Sequence, residues 1–542
     1  MACGCAPIEK LANWRCGPPT LEQTPAQRGR GVDPSAVKGD RAGPGMGLYT
    51  RITRDWLEQR FAKRTAAGTY FAHMPVYGFG HPDAEGGHVR RYARILRILQ
   101  ALDGLSFASL LDVGGAEGYV THVVRTIFGA DVATTDLSLQ ACLRARELFA
   151  LPSASVDCWR LPFADGAFDV VLCSEVIEHV EHPVETLLEL RRVARVAVVL
   201  TTEEVRYDRQ WIDDYLFRRP GWPHMERNQF HPDDLRTCLP EATLLPQCDR
   251  EPDAEAPTPD AAIDWILANT RATDLVEGRV GVAVTIPGPS FRARPRGHDD
   301  RTLLTRLLTT TVPPGVRTAP PGTASIARFL ARCVDPVTQQ PLVPTPHGLR
   351  GCRDWPLHDG VPDFVDADAL PPPRAALATR LAGLHAAQRD ALLALRDRLF
   401  LFDKAPRTDF DFAQREHRRG FWPNEQLVPR GEGFCWRATG NDPWLVTPCL
   451  QRRIRPIEID LRVFAPGVAR DALTGQVYWK GPADEVFVEP LSVKFPLVND
   501  GERHTYHVDL GVHPGLPDEV QWLRLDLADA PCELDLYGLR LR

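Results

Sequence analysis

Between Phe107 and Ile286 short apolar runs alternate with stretches whose apolar residues recur at helical spacing. Ser109–Val113 is an apolar run suited to a buried parallel strand, and Tyr119–Phe128 has the 3.6-residue period of a helix. Further strands are predicted at Ala130–Thr135, Ala154–Trp159, Val170–Ser174, Val196–Thr202, Ala242–Cys248 and Val280–Ile286. This order predicts an α/β domain built on a doubly wound sheet. A helical region, Leu48 to Leu102, precedes it. Beyond it, Leu377, Leu381, Leu384, Leu392, Leu395 and Leu399 form a helical stripe. Short alternating runs then follow at Ile457–Phe464, Gln476–Trp479, Leu491–Leu497, His504–Leu510, Gln521–Leu527 and Cys532–Leu541. Strands of that length with turn residues between them predict an antiparallel β-sandwich.

The chemistry begins where the first strand meets the first helix. Gly114, Gly115 and Gly118 form a strand-to-helix turn in Leu110-Leu-Asp-Val-Gly-Gly-Ala-Glu-Gly118. Glycines there permit positive φ and close approach of a ligand to the backbone, and the helix start offers free N–H groups. The next strand ends on Asp136, at the offset where a carboxylate accepts ribose hydroxyls. Downstream come Asp157, Leu161-Pro-Phe163, Phe168-Asp-Val-Val171 and Glu178-His-Val180.

In this order the motifs resemble those of class I S-adenosylmethionine-dependent methyltransferases, over roughly Phe107 to Ile286. The resemblance implies a Rossmann-like seven-stranded domain that binds S-adenosyl-L-methionine. It places Asp112, Gly114, Gly115, Ala116 and Gly118 around the methionine part of the cofactor, Asp136 on the ribose, Asp157 and Cys158 beside the adenine, and Ser174 near the methionine and substrate entrance. Two departures stand out. Ala116 replaces the middle glycine, and Arg191-Arg-Val-Ala-Arg195 runs straight into the fifth strand without the usual Pro-Gly-Gly turn.

Methyl transfer is an in-line displacement in which alignment supplies most of the catalysis, and a base is needed when the acceptor is a hydroxyl. His179 is the first candidate base and His224 the second. Glu175, Glu178 and His179, read at helical spacing, would share one face as metal ligands do, with His224 or His231 completing the set. The reading adopted assigns no metal. Tyr70, His73 and Tyr77, in the helical region, are candidate pocket residues.

The organisation expected is a disordered extension at 1–46, a helical cap at 47–106, the methyltransferase domain at 107–290, a linker at 291–322 with a helix near Leu303–Leu308, a small β module at 323–368, a helical connector at 369–404 and the C-terminal β-sandwich at 405–542. The small module resembles the zinc-ribbon-like domain that activates some tRNA and translation-factor methyltransferases. Of four metal cysteines only Cys333 and Cys352 remain, which predicts a metal-free fold. The sandwich resembles jelly-roll modules of bacterial surface-polysaccharide enzymes, with Trp444, Tyr478 and Trp479 as rings able to stack on sugars.

Whole-chain numbers narrow the partners. At 542 residues the chain holds several domains, and 44% hydrophobic with 25% charged residues is ordinary for a water-soluble chain. A net charge of -7 gives no basic field, so nucleic acid is not favoured as a partner, and no membrane span is visible. The 13 cysteines lack C-x-x-C spacing and no apolar leader is seen, which reads as cytoplasmic. Cys3 and Cys5 fall in the Gly, Pro and Arg-rich extension, and Met46 is read as the start of the folded part. The function expected is O-methylation of a small-molecule or glycan acceptor in polysaccharide biosynthesis. The alternatives are metal-assisted methylation of RNA or a quinone-like molecule, and an inactive glycan-binding scaffold. The oligomeric state stays open.

Overall fold

The computed structural model describes residues 48–218, 224–247, 252, 258–270, 278–316, 320–345, 347–366, 369, 372–399, 408–431, 433–449, 453–481, 484 and 486–542. The extension with Cys3, Cys5 and Met46 lies outside the described residues. Two compact units emerge, one of residues 46–217 with 221–403, the other centred on 404–542.

In the first unit, α1 (Leu48–Ala62) and α2 (His88–Asp103) precede a sheet whose strands are β1 (Ser109–Val113), β2 (Asp131–Asp136), β3 (Ser153–Ser155), β4 (Phe168–Ser174), β5 (Ala194–Arg206), β6 (Thr243–Gln247) and β7 (Arg279–Pro287). Their spatial order is β3-β2-β1-β4-β5-β7-β6. β1 to β5 run parallel, while β7 is antiparallel to both β5 and β6. The intervening helices are α3 (Tyr119–Phe128), α4 (Leu139–Phe149), α5 (Pro183–Val193), α6 (Arg209–Arg218), α7 (Pro232–Cys238) and α8 (Pro259–Asn269). All five residues of β1 are buried, as a strand covered by helices on both faces requires.

The predicted strand Ala154–Trp159 stops at Ser155, because the chain turns at Asp157, whose carbonyl accepts the Arg160 N–H at 3.0 Å. That turn carries Asp157 and Cys158 off the sheet into a loop. Between Pro287 and Gly322, the segment read as linker, lies α9 (Asp300–Thr309), whose Leu303, Leu304, Leu307 and Leu308 are buried in the core with α2, α3 and α8. Their spacing puts them on one helix face.

Next come α10 (Thr323–Leu330) and a small antiparallel sheet of β8 (Val343–Thr345), β9 (Gly348–Arg350), β10 (Asp354–His358) and β11 (Val361–Pro362). Trp355 and Phe364 of this module join the core that also holds Phe163 and Leu161. α11 (Arg374–Arg380) and α12 (Ala386–Leu399) close the unit, with Leu377, Leu381, Leu392, Leu395 and Leu399 buried in the same core.

The second unit pairs two sheets. One contains β12 (Asp409–Asp411), β14 (Leu427–Pro429), β15 (Cys435–Ala438), β17 (Pro456–Phe464), β20 (Arg503–Asp509) and β22 (Cys532–Leu541); the other contains β13 (Trp422–Pro423), β16 (Trp444–Pro448), β18 (Leu473–Lys480), β19 (Ser492–Leu497) and β21 (Trp522–Asp526). Residues of both sheets share one apolar core. Trp479 lies in it, 0% exposed, so it offers no ring to a ligand. The alternation along β18 puts Trp479 on the inner face and Tyr478 on the outer one.

Candidate cofactor and acceptor site

The glycine turn after β1 is built from left-handed residues: Gly114 at φ 74°, Ala116 at φ 50° and Gly118 at φ 80°. A side chain at Gly114 would run into Val176, and one at Gly115 into Thr134 Oγ1. At Gly118 an added Cβ would sit 2.8 Å from Ala145 Cβ. The glycines are therefore required by the packing around the turn. Ala116 adopts the left-handed shape with a methyl group, and that shape lets its N–H donate to Asp136 Oδ2 at 3.0 Å. Ser138 N–H donates to Asp136 Oδ1 at 2.9 Å.

Three carboxyls gather along the carboxyl edge of the sheet. Burial pushes Asp112 up to about 7, with Asp136 adding to the rise and the Thr121 hydroxyl, at 2.7 Å, opposing it. Burial likewise pushes Asp136 up to about 6, with Glu58 contributing, and Asp157 up to about 6. Cys158 lies beside Asp157, its Sγ 3.4 Å from Thr186 Oγ1, and its thiol is held far up its range by burial. Ser174 Oγ is 2.9 Å from Thr201 Oγ1 at the end of β4.

Helix α1 lies across this edge. Its Leu57 and Phe61 pack with Ala141, Trp56, Ala116 and Leu137. Glu58 accepts the Leu139 and Gln140 N–H groups at 2.6 and 2.9 Å, satisfying the open start of α4. Thr50 Oγ1 approaches Asp157 Oδ2 at 3.5 Å. The helix thus covers the turn that carries Asp136.

Trp56, His224 and His179 form a column of rings, with centroids 4.9 Å apart in the first pair and 4.2 Å in the second. His179 Nδ1 lies 3.0 Å from the Met225 carbonyl oxygen. A carbonyl only accepts, so Nδ1 carries the proton and a neutral His179 keeps Nε2 as its acceptor nitrogen. Burial, with His179 adding to it, drives His224 well below the usual histidine range, so it stands neutral at pH 7.

Glu175, Glu178 and His179 do not share a helical face. Glu175 has φ 52° and the segment is a turn, so the three side chains diverge. Glu175 faces Arg94 at 3.4 Å and Gln247 at 3.3 Å; Glu178 is buried, its carboxyl pushed well above the usual range by burial with Glu175 and Glu204 adding to the effect. His231 caps α7, accepting Asp233 N–H at Nδ1 and donating through Nε2 to the Tyr207 carbonyl, so both nitrogens are engaged. Among the described residues no cluster of three His, Cys, Asp or Glu side chains has the geometry of a metal site.

Sequence reasoning missed Glu181 and Arg227. Arg227, 2% exposed, joins Glu181 at 3.1 Å to Thr53 of α1 at 3.0 Å. Burial pushes Glu181 up to about 7 against the pull of Arg227. No pattern marked them, since Arg227 reaches the site from the segment between α6 and α7. Tyr70 and Tyr77 are buried in the cap, where the Tyr70 hydroxyl donates to Glu147 at 2.6 Å and the Tyr77 hydroxyl to the Tyr70 carbonyl at 3.1 Å. His73 sits between Arg60 and Glu85 at 2.8 and 3.0 Å. His73 and Tyr77 thus pack within the cap, while Tyr70 fastens the cap to α4.

Residues 111–200 match the family model described as a methyltransferase domain. With the reversed seventh strand and the glycine turn, this identifies a class I S-adenosylmethionine-dependent methyltransferase domain within the first unit. Similar solved structures include the Haloferax volcanii complex of the Trm112 methyltransferase activator with a methyltransferase (17% identity, 36% of this chain and 91% of that one, TM-score 0.28). Others are the [4+2]-cyclase SpnF (14%, 47% and 99%, TM-score 0.30) and geranyl diphosphate C-methyltransferase from Streptomyces coelicolor A3(2) (16%, 44% and 97%, TM-score 0.28). No curated protein matches the chain.

The donor set fits the cofactor. Burial opposes the charge of Asp112 and Asp136, and the ammonium and hydroxyls of a bound ligand would offset that cost at carboxyls which already take the Thr121, Ala116 and Ser138 donors. When bound, S-adenosylmethionine supplies a methyl group on a sulfonium sulfur. Asp112 and Asp136 are the residues that would hold the cofactor, at a turn that α1 covers.

Proposed function

We propose that the enzyme O-methylates a sugar or glycan precursor, with Asp112, the Gly114–Gly118 turn, Asp136, Asp157, Cys158 and Ser174 forming the cofactor site and His179 accepting the hydroxyl proton. The observation that carries the acceptor class is the outer face of the sheet containing β16, β18 and β21. Leu445, Val477, Leu523 and Leu525 of these strands turn into the core, which leaves Trp444, Tyr478, Gln476, Arg524 and Asp526 on the opposite face. The Arg524 guanidinium lies over both rings, 5.3 Å from Trp444 and 4.9 Å from Tyr478, and pairs with Asp526 at 2.7 Å and with Asp442. Trp444, half-buried beside the Arg524 guanidinium and Asp442, is the ring able to stack on a sugar, with those two groups for its hydroxyls, while Tyr478, 8% exposed, packs beneath Arg524. The absence of RNA-type basic character, with a net charge of -7, supports a neutral or small acceptor over nucleic acid.

The test uses full-length protein, labelled S-adenosylmethionine and a panel of nucleotide sugars and oligosaccharides, with glycan-array binding of wild type and Trp444→Ala in parallel. Methyl transfer to a sugar hydroxyl with array signal lost in the variant is the expected result. Transfer confined to RNA or quinone-like acceptors, with no array signal, overturns the reading.

A further inference from the structure

The turn Asp136–Gln140 is gripped by two arms that begin at one residue of the small β module, Asp363, just beyond β11. The first arm is backbone. Asp363 makes a parallel bridge to Ser155, Phe364 N–H donates to the Ser155 carbonyl at 2.8 Å, and Ser155 Oγ donates to the Leu137 carbonyl at 3.1 Å. The second arm is side chain. Arg54 donates to Asp363 Oδ2 at 2.6 Å and lies 3.5 Å from Glu58, which takes the Leu139 and Gln140 N–H groups. Both arms end on the turn whose first residue, Asp136, also holds the glycine loop through Ala116 N–H.

We propose that Asp363 is a positioning residue for S-adenosylmethionine binding: through Arg54 and Glu58 it seats helix α1 on the Asp136–Gln140 turn, so that the small β module sets cofactor affinity from outside the cofactor domain. The inference rests on the assignment of Asp136 to the ribose.

The physical case is a comparison of strengths. Arg54 and Asp363 are only 20% and 13% exposed, so their pairing is screened less than a surface ion pair. Arg54 also sits between two carboxylates, Glu58 at 3.5 Å and Asp363 at 2.6 Å, and so joins the module's carboxylate to the one that caps α4. Without Asp363 the seated position of α1 loses one of its anchors, and apparent affinity falls in proportion to the fraction of molecules still seated. Asp363 Oδ1 accepts the Val365 N–H at 3.2 Å, a turn bond that an asparagine would keep, so only the Oδ2 contact to Arg54 distinguishes a seating role from mere cover of the β3 edge.

The experiment compares full-length Asp363→Asn, Asp363→Glu, Arg54→Met and the double variant Asp363→Asn/Arg54→Met. S-adenosylmethionine and S-adenosylhomocysteine affinities are read by calorimetry, and amide exchange over residues 48–62 is read in ligand-free protein. Asp363→Asn and Arg54→Met should each weaken cofactor binding by about fivefold and raise exchange in 48–62, a coupling of ordinary size for residues that touch no ligand. The double variant should be no weaker than either single one, and Asp363→Glu should bind within about twofold of wild type. Wild-type affinity and exchange in Asp363→Asn overturn the inference. If wild type binds no cofactor, or Asp136→Ala binds as wild type does, the assignment of the site fails instead, and exchange over 48–62 still reports whether Asp363 seats α1.

Discussion

Glu117 and Arg144 form an ion pair of 3.1 Å with side chains 0% and 1% exposed. Glu117 belongs to the glycine turn and Arg144 to α4, and both reach into the cap. Glu117 accepts the Met74 N–H at 2.8 Å, and Arg144 donates to the Phe71 and Lys63 carbonyls at 3.0 and 2.8 Å. The pair therefore fastens residues 63–74 to the cofactor loop. Removing one partner strands the other charge, so Arg144→Met should cost about 3 to 5 kcal/mol. Glu117→Gln keeps an acceptor for Met74 and should cost less. Chemical denaturation of the two variants checks the order.

Ala116 holds a left-handed φ of 50° because its N–H is committed to Asp136. A left-handed alanine is strained by about 1 kcal/mol, and a glycine there relieves the strain while gaining unfolded-state entropy. Ala116→Gly should thus change stability by less than about 1 kcal/mol and keep cofactor affinity within a few fold. Ala116→Val, with a branched Cβ, should lose binding. Calorimetry on both variants decides whether the methyl group at this position is tolerated in a working site.

Cofactor binding should depend on pH through Asp112 and Asp136. Burial raises them to about 7 and about 6, so the fold binds more protons than the unfolded chain as pH falls through that range. Their contribution to stability is present at low pH and is lost as pH rises through 6 to 7. For a ligand that needs the anions the sign is reversed. Affinity for S-adenosylmethionine should rise with pH, up to about tenfold per unit for each carboxyl that must ionise, and level off above pH 7. Calorimetry in buffers of different ionisation enthalpy should show proton release at pH 6.5, and Asp112→Asn should reduce it.

His179 can be separated into a positioning group and a base. His179→Asn retains an N–H close to where Nδ1 donates to the Met225 carbonyl but has no basic nitrogen. With His179 as base, kcat should fall by about 10²- to 10⁴-fold while cofactor affinity stays near wild type. A small change in kcat with a large rise in acceptor KM would assign the histidine to holding the 224–228 segment. The His224 ring, stacked 4.2 Å from His179, is the matching control, because its depressed pKa leaves it neutral in either case.

The seven-stranded sheet was legible because its central strands β1, β4 and β5 are buried and largely apolar and the helices between strands carry apolar stripes, although β3 is Ser-Ala-Ser and the edge strand β6 is largely exposed. β1 and α3 fall on the predicted Ser109–Val113 and Tyr119–Phe128. Asp112, Asp136 and Asp157 could be proposed from the sequence because their offsets from strand ends are local. Glu181, Arg227 and Glu58 were not, since they meet only when α1 and the segment after α6 fold over the sheet. The Glu175–His179 string misled for the opposite reason. Its spacing is helical on paper, but the positive φ at Glu175 breaks the helix. Of the three rings named for sugar stacking, Trp479 turns into the core, because neighbours along a strand face opposite ways, while Tyr478 lies on the other face, 8% exposed.

In the small β module a carboxylate stands where the sequence offers too few cysteines. Asp335 is 0% exposed and collects four N–H groups: Val337 at 2.9 Å and Thr338 at 2.8 Å on one oxygen, Cys352 at 2.8 Å and the Trp355 indole at 3.1 Å on the other. It thereby ties the turn after Cys333 to the turn at Cys352, and these bonds hold its carboxyl far below the usual range. Cys333 is buried, with Sγ 3.5 Å from the Phe329 carbonyl, and Cys352 is exposed. Asp335→Ala would leave several of these donors unpaired, at about 1 to 3 kcal/mol each, so the module should lose most of its local stability. Asp335→Asn, which presents N–H groups to N–H groups on one side, should lose nearly as much. Amide exchange over residues 333–364 of the full-length protein should rise by orders of magnitude in both variants, while a chelator added to wild type leaves it unchanged. Exchange that responds to the chelator would mean that a metal, and not Asp335, holds the two turns together.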